Sequence, residues 1–176
     1  MALDPDFVAD CFYGPGGQLI DEILRLDAEN HVVVCRMPVS ADLPLTREQV
    51  VHPVRHPQHV SGALMVHATG IVAFVHAYYV LGLRHREGWV GYGARIESAR
   101  FHNLAHVPGE ALVLTGRATQ IRKGATRVLA KYAFEFHQSE KLVYQSTQTA
   151  MWLQTNALST EESPDSAAAE APSSDD

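Results

Sequence analysis

The stretch SGALMVHATGIVAFVHAYYVLGL, residues 61–83, contains no Asp, Glu, Lys or Arg. A run this long and this apolar has two homes. One is the hydrocarbon core of a bilayer, which about 20 apolar residues can span. The other is the interior of a soluble domain that covers a helix on every side. Its glycines, its two histidines (His67 and His76) and the strand-rich sequence around it favour the second, so no membrane insertion is expected. Ser61 suits an N-cap and Gly82 the end, and Arg84, His85 and Arg86 suit a helix C-terminus.

The rest of the chain has to supply the cover. A short helix is expected between Asp4 and Tyr13, stopped at Gly14-Pro15-Gly16-Gly17. QLIDEILRLD (18–27), the Asp27–Asn30 turn and the β-branched HVVVCRMPV read as a hairpin over 18–37. Residues 38–60, with Pro44, Pro53 and Pro57, read as a long loop, a kind of segment that often carries function. After the apolar helix come strand-like segments at 88–101, 111–121, 126–137 and 142–153. In the third of these Val128, Ala130, Tyr132, Phe134 and Phe136 alternate with more polar neighbours, the pattern of a half-buried strand. Loops cannot bury a helix all round, but a curved antiparallel sheet rolled around it can. The expected class is therefore α+β, with one long central helix. The free edges of such a sheet invite pairing in a homodimer or a higher homo-oligomer of dimers.

Composition narrows the setting. The 176 residues suggest one domain over 1–155. From 156 the chain becomes Ser, Glu, Asp, Pro and Ala, and 156–176 reads as a disordered acidic tail. The net charge of −6 and the lack of a basic stripe argue against nucleic acid as a partner. Cys11 and Cys35 form neither a C-x-x-C pair nor a metal spacing, which suits reduced thiols in the cytoplasm. MALDPDFVAD lacks the basic and apolar regions of a secretory signal.

QLIDEILRLDAENHVVV, ATGIVAF (68–74) and IESARFHNLAHVPGEALVLTGRATQIRKG (96–124) together resemble the bacterial (3R)-hydroxyacyl-[acyl carrier protein] dehydratases, the beta-hydroxyacyl dehydratase family. The resemblance covers roughly residues 18–153. It implies the hotdog fold, an antiparallel sheet wrapped around one long central helix, and an acyl thioester of acyl carrier protein or CoA as ligand. The Phe101…Pro108-Gly109-Glu110 element also resembles one in related thioesterases, so it speaks for the fold more than for the reaction.

The resemblance also implies site residues. His52, followed by Pro53, is the counterpart of the family's catalytic histidine, with His56 and His59 as competing assignments. Gly62 matches the glycine that opens the helix, and its N–H with that of Ala63 would meet the thioester carbonyl, where the helix dipole is positive. His67 stands where the family has a carboxylate, and the helix carries no acid at all. Tyr92 and Gly93 fall on a strand expected to line the acyl tunnel. The resemblance implies first a divergent dehydratase of fatty-acid or polyketide-type lipid metabolism; dehydration of a 3-hydroxyacyl thioester needs a base and an acid, roles that two histidines could divide. A thioesterase would need one base to activate water, and a non-catalytic acyl-binding subunit would need neither. His76 reads as a core residue. His52-x3-His56-x2-His59 could be read as metal ligands, but no cysteine or carboxylate joins them, and no metal or other cofactor is expected. Arg122 and Lys123, on a turn, are candidates for contact with the phosphates of CoA or a phosphopantetheine arm.

Overall fold

The charge-free stretch does form the central helix. The computed structural model describes residues 1–155, so the expected tail lies outside the described residues. In chain order the elements are helices α1 (Pro5–Asp10) and α2 (Pro15–Gln18), strands β1 (Glu22–Asp27) and β2 (Val32–Met37), and helix α3 (Gly62–His76). Strands β3 (Trp89–Phe101), β4 (Leu112–Lys123), β5 (Arg127–Gln138) and β6 (Lys141–Gln154) follow. Helix α3 begins at an N-cap whose Ser61 side chain accepts from Ala63 N–H, as its sequence suggests. It runs on into a wider π-helical turn at Ala77–Leu81 and ends at Gly82, whose φ of 71° is the left-handed conformation that glycine adopts without penalty.

The six strands form one antiparallel sheet in the order β1-β2-β4-β5-β6-β3. Register shifts interrupt β1 at Ile23/Arg25, β3 at Gly93/Arg95 and Ile96/Ser98, β4 at Ala118/Gln120 and β6 at Val143, opposite Phe136/His137. Bulges of this kind bend a strand and increase its twist, which lets the sheet curl around α3. This is the hotdog arrangement. The helix lies close against β4, where a Cβ on Gly116 would stand 2.6 Å from Val72 Cγ1. A side chain at that position would lift the helix off the sheet. The alternation read from β5 holds, since Val128, Ala130, Tyr132, Phe134 and Phe136 are all buried.

Two local expectations change. The Gly14–Gly17 segment is more than a stop, because Pro15 opens the single-turn helix α2, where its fixed φ suits the first helical position. The first strand starts at Glu22 and not at Gln18; Gln18, Leu19 and Ile20 are instead buried in the turn before it, with Leu19 at φ 57°. The 38–60 segment is irregular as expected, apart from isolated bridges. Both cysteines are free thiols. Burial pushes Cys35 up to about 12, and Cys11 is raised chiefly by the same cause.

His76, at the end of α3, is 1% exposed. Its Nδ1 lies 2.8 Å from the Tyr132 hydroxyl and its Nε2 3.2 Å from His31 Nδ1, so both ring nitrogens are satisfied inside the core. Burial, reinforced by the nearby His31 and Lys123, lowers its pKa to about 4. In the unfolded chain an imidazole titrates near 6.5, so between the two values the unfolded state binds more protons and stability rises with pH. Unfolding free energy is therefore expected to fall as pH drops from 6.5 through 4, by up to about 3 kcal/mol from this residue. Chemical denaturation across that window should show the slope in the wild type and a shallower one in His76→Leu.

Candidate active site

Helix α3 is not equally covered on all sides. Ala63 and Gly70 are exposed, and Val66 and His67 are only half-buried. These positions are spaced i, i+3, i+4 and i+7, so they form one stripe along the helix. The sheet leaves this stripe open, and two cavities lie along it.

The inner cavity, about 100 Å³, sits between α3 and strands β3, β5 and β6. Its walls include Phe74, Tyr92, Tyr132, Phe134 and Trp152, an apolar and largely aromatic surface. Phe12 and Tyr13, from the segment between α1 and α2, also line it. The N-terminal segment is held down by Phe7, whose ring packs 5.0 Å from that of Phe74, and by the buried Asp10. The Asp10 carboxylate accepts from the N–H groups of His85 and Arg86 at 2.7 Å. An outer cleft of about 420 Å³ shares Tyr13, Thr69, Gly70, Gly93 and Gln148 with the inner cavity and adds His67 and Arg95. The two spaces together form an apolar pocket with a polar mouth, the usual make-up of a small-molecule site.

The mouth has a defined hydrogen-bond order. His67 Nε2 lies 2.6 Å from the Gly17 carbonyl oxygen. A carbonyl only accepts, so Nε2 carries a proton, and in the tautomer with that single ring proton Nδ1 presents a lone pair. Nδ1 has no protein partner among the described residues. The Tyr13 ring stands edge-on to the imidazole at 4.6 Å and fixes its plane. Two residues along, the Thr69 hydroxyl donates to the Val66 carbonyl at 2.6 Å and lies 3.1 Å from Gln148 Oε1. Gln148 is anchored through its amide nitrogen to Tyr144 Oη at 3.2 Å and Ser146 Oγ at 3.0 Å. Among the described residues no carboxylate lines either cavity.

Of the residues singled out from sequence, His67, Tyr92 and Gly93 come together here; the others lie elsewhere. His52 is exposed, and its Nδ1 accepts from the N–H groups of Val54 and Arg55, so the ring closes a local turn that also pairs His52 with His56 through the backbone. His56 is exposed and stands edge-on to His59 at 5.1 Å. The backbone of His59 is clamped by Gln49, and its Nδ1 donates to the Pro57 carbonyl at 2.8 Å. None of these three lines either cavity. Nor do Gly62 and Ala63. The Phe101 ring lies against Gly62, and the Ala63 N–H is taken by its own cap, Ser61. The sequence reading did not reach Tyr13, Thr69, Gly70, Arg95 and Gln148. Gly70 left a signal, since a mid-helix glycine costs about 1 kcal/mol relative to alanine and calls for a reason.

No protein-family model matches the chain, and no curated protein matches it. Solved structures do. A thioesterase from Haemophilus influenzae aligns with a TM-score of 0.55 at 15% identity, over 84% of this chain and 88% of that one. AziG of S. sahachiroi aligns at 0.53 and 22% identity, over 76% and 90%. A phenylacetic acid degradation-related protein from Ralstonia eutropha aligns at 0.52 and 18%, over 74% and 83%. Likeness at these identities establishes the fold, and the chain has the hotdog fold.

Gly70 offers a clean probe of the pocket. A Cβ there would meet nothing within 4 Å, and the residue lines both cavities. Gly70→Ala is expected to raise stability by up to about 1 kcal/mol through helix propensity. Gly70→Phe is expected to fill the mouth, leaving the fold intact while abolishing uptake of an apolar fluorescent acyl analogue. Thermal melts and ligand titration measure the two effects separately.

Proposed function

We propose that the chain is a thioesterase, hydrolysing an acyl thioester whose acyl group enters the inner cavity. The observation that carries this reading is that, among the described residues, His67 is the one imidazole lining the pocket, with its tautomer set by the Gly17 carbonyl. Hydrolysis needs one base, whereas dehydration, the reaction implied by the dehydratase resemblance, needs a base and a separate acid. The fold is shared with a thioesterase from Haemophilus influenzae, which supports the same choice.

In this mechanism water sits between His67 Nδ1 and Gln148 Oε1, both acceptors. His67 takes a proton as the water oxygen bonds to the thioester carbon. The tetrahedral adduct then collapses, the C–S bond breaks, and the imidazolium returns its proton to the departing sulfur. The aromatic walls hold the acyl group and keep bulk water out. Free, reduced thiols at Cys11 and Cys35 support a cytoplasmic setting.

The working form in this proposal is a homodimer. Strand β3 is a free edge of the sheet and exposes Tyr92, Ile96 and Phe101, a long apolar edge of the kind that soluble proteins seldom leave uncovered. Ile96→Asp is expected to shift the mass measured by light scattering from dimer to monomer. A wild-type monomer would remove this part of the proposal.

Thiol release from short-chain, long-chain and aryl acyl thioesters tests the reaction. His67→Ala is expected to lower kcat/KM by about a hundredfold or more, while His52→Ala and His56→Ala stay near wild type. Reversible loss of water from 3-hydroxybutyryl thioesters, without thiol release, would establish a dehydratase instead. Tight acyl-analogue binding with no turnover at all would identify an acyl-binding subunit.

A further inference from the structure

The cations of this chain are unevenly placed. A depression of about 370 Å³ on the sheet is lined by Arg95, Glu97, Gln120, Arg122, Lys131 and Thr149, among others. The strand register explains how they meet: Arg95 on β3 pairs with Thr149 on β6, Thr149 with Lys131 on β5, and Lys131 with Gln120 on β4. At about 4.8 Å per strand, this row extends roughly 14 Å across the sheet. Among the described residues, none of Arg95, Arg122 and Lys131 is in an ion pair, although the chain carries a net charge of −6. Glu97 is the one carboxylate in the depression among the described residues, and it accepts from the Thr149 hydroxyl at 2.9 Å. Arg95 also lines the outer cleft beside His67, so the basic depression adjoins the mouth of the acyl pocket.

We propose that this depression holds the phosphate groups of a CoA thioester, with Arg95, Arg122 and Lys131 as the anion-binding side chains. The proposal rests on the acyl-thioester reading of the neighbouring pocket and names the carrier. Guanidinium groups match phosphate oxygens in a fork geometry, and a lysine adds a point charge. The depression is concave and of a size that suits a small ligand, which favours the nucleotide of CoA over the surface of a carrier protein. The pantetheine arm would pass Arg95 on its way from the phosphates to the cleft.

Equilibrium binding of free CoA and of pantetheine to the full chain tests this without relying on turnover. The wild type is expected to bind CoA about tenfold or more tighter than pantetheine, with the gap narrowing at high salt. Arg122→Glu and Lys131→Glu are each expected to weaken CoA binding several-fold, and together to bring it down to the pantetheine level; Arg122→Gln and Lys131→Met give the same direction with less risk to folding, which circular dichroism checks. Equal affinity for CoA and pantetheine in the wild type, or a gap that survives these changes in folded protein, would overturn the proposal. So would turnover of acylated carrier protein with CoA neither bound nor used. The two readings separate cleanly: CoA binding that depends on Arg122 and Lys131 in a protein that releases no thiol keeps this site and removes hydrolysis, whereas thiol release without CoA discrimination does the reverse.

Discussion

Everything in this molecule follows from the need to bury α3. A helix with no charged side chain loses free energy on every face it shows to water, at roughly 25 cal/mol per Å² of apolar surface. One flat sheet covers one face. The sheet here instead bends at successive bulges and comes close enough at Gly116 for the helix to lie against β4. The N-terminal segment covers more of the helix through Phe7 and is fastened by Asp10. Sheet curvature, the glycine at the point of contact and the N-terminal strap are three parts of one solution.

The pocket is what that solution leaves over. Ala63, Val66, His67 and Gly70 form the one stripe that the sheet does not close, and the small residues along it leave room beside the helix. The same strap that covers the helix supplies Tyr13 and the Gly17 carbonyl, so the element that completes the fold also orients the imidazole. Deeper in, His76 shows the opposite outcome for the same residue type. With both nitrogens occupied by Tyr132 and His31, and its pKa lowered to about 4 by burial, it stays neutral within the core. Two histidines on one helix thus differ in role because of what each nitrogen meets.

Charge follows the same division between the inside and the outside of the sheet. The inner surface is apolar and aromatic, while the basic residues of β3, β4 and β5 gather on the sheet at Arg95, Arg122 and Lys131. Because β3 borders both regions, one strand joins an apolar pocket to a positively charged surface. The CoA thioester proposed as ligand is apolar at its acyl end and polyanionic at its nucleotide end, in the same order.

Much of the fold was legible in the sequence, for a local reason. The charge-free run, the alternation in β5 and the turn signals between strands report which side chains must leave water, and hydrophobic burial is decided residue by residue along the chain. The resemblance to hotdog dehydratases drew attention to His67, Tyr92 and Gly93, which line the two cavities. It could not rank His52, His56 and His59, because each ring is placed by the particular path of an irregular loop, with His52 held by the N–H groups of Val54 and Arg55 and His59 by Gln49 and the Pro57 carbonyl. Tyr13, Gly17, Arg95 and Gln148 were invisible for a long-range reason: they reach the helix from the N-terminal strap and from strands β3 and β6, and only the tertiary structure brings them to one place. What the sequence by itself determined was the need for a wrapped helix. Which face of that helix stayed open, and which nitrogen of His67 met the Gly17 carbonyl, was decided only by long-range packing, since neither is a property of any contiguous segment.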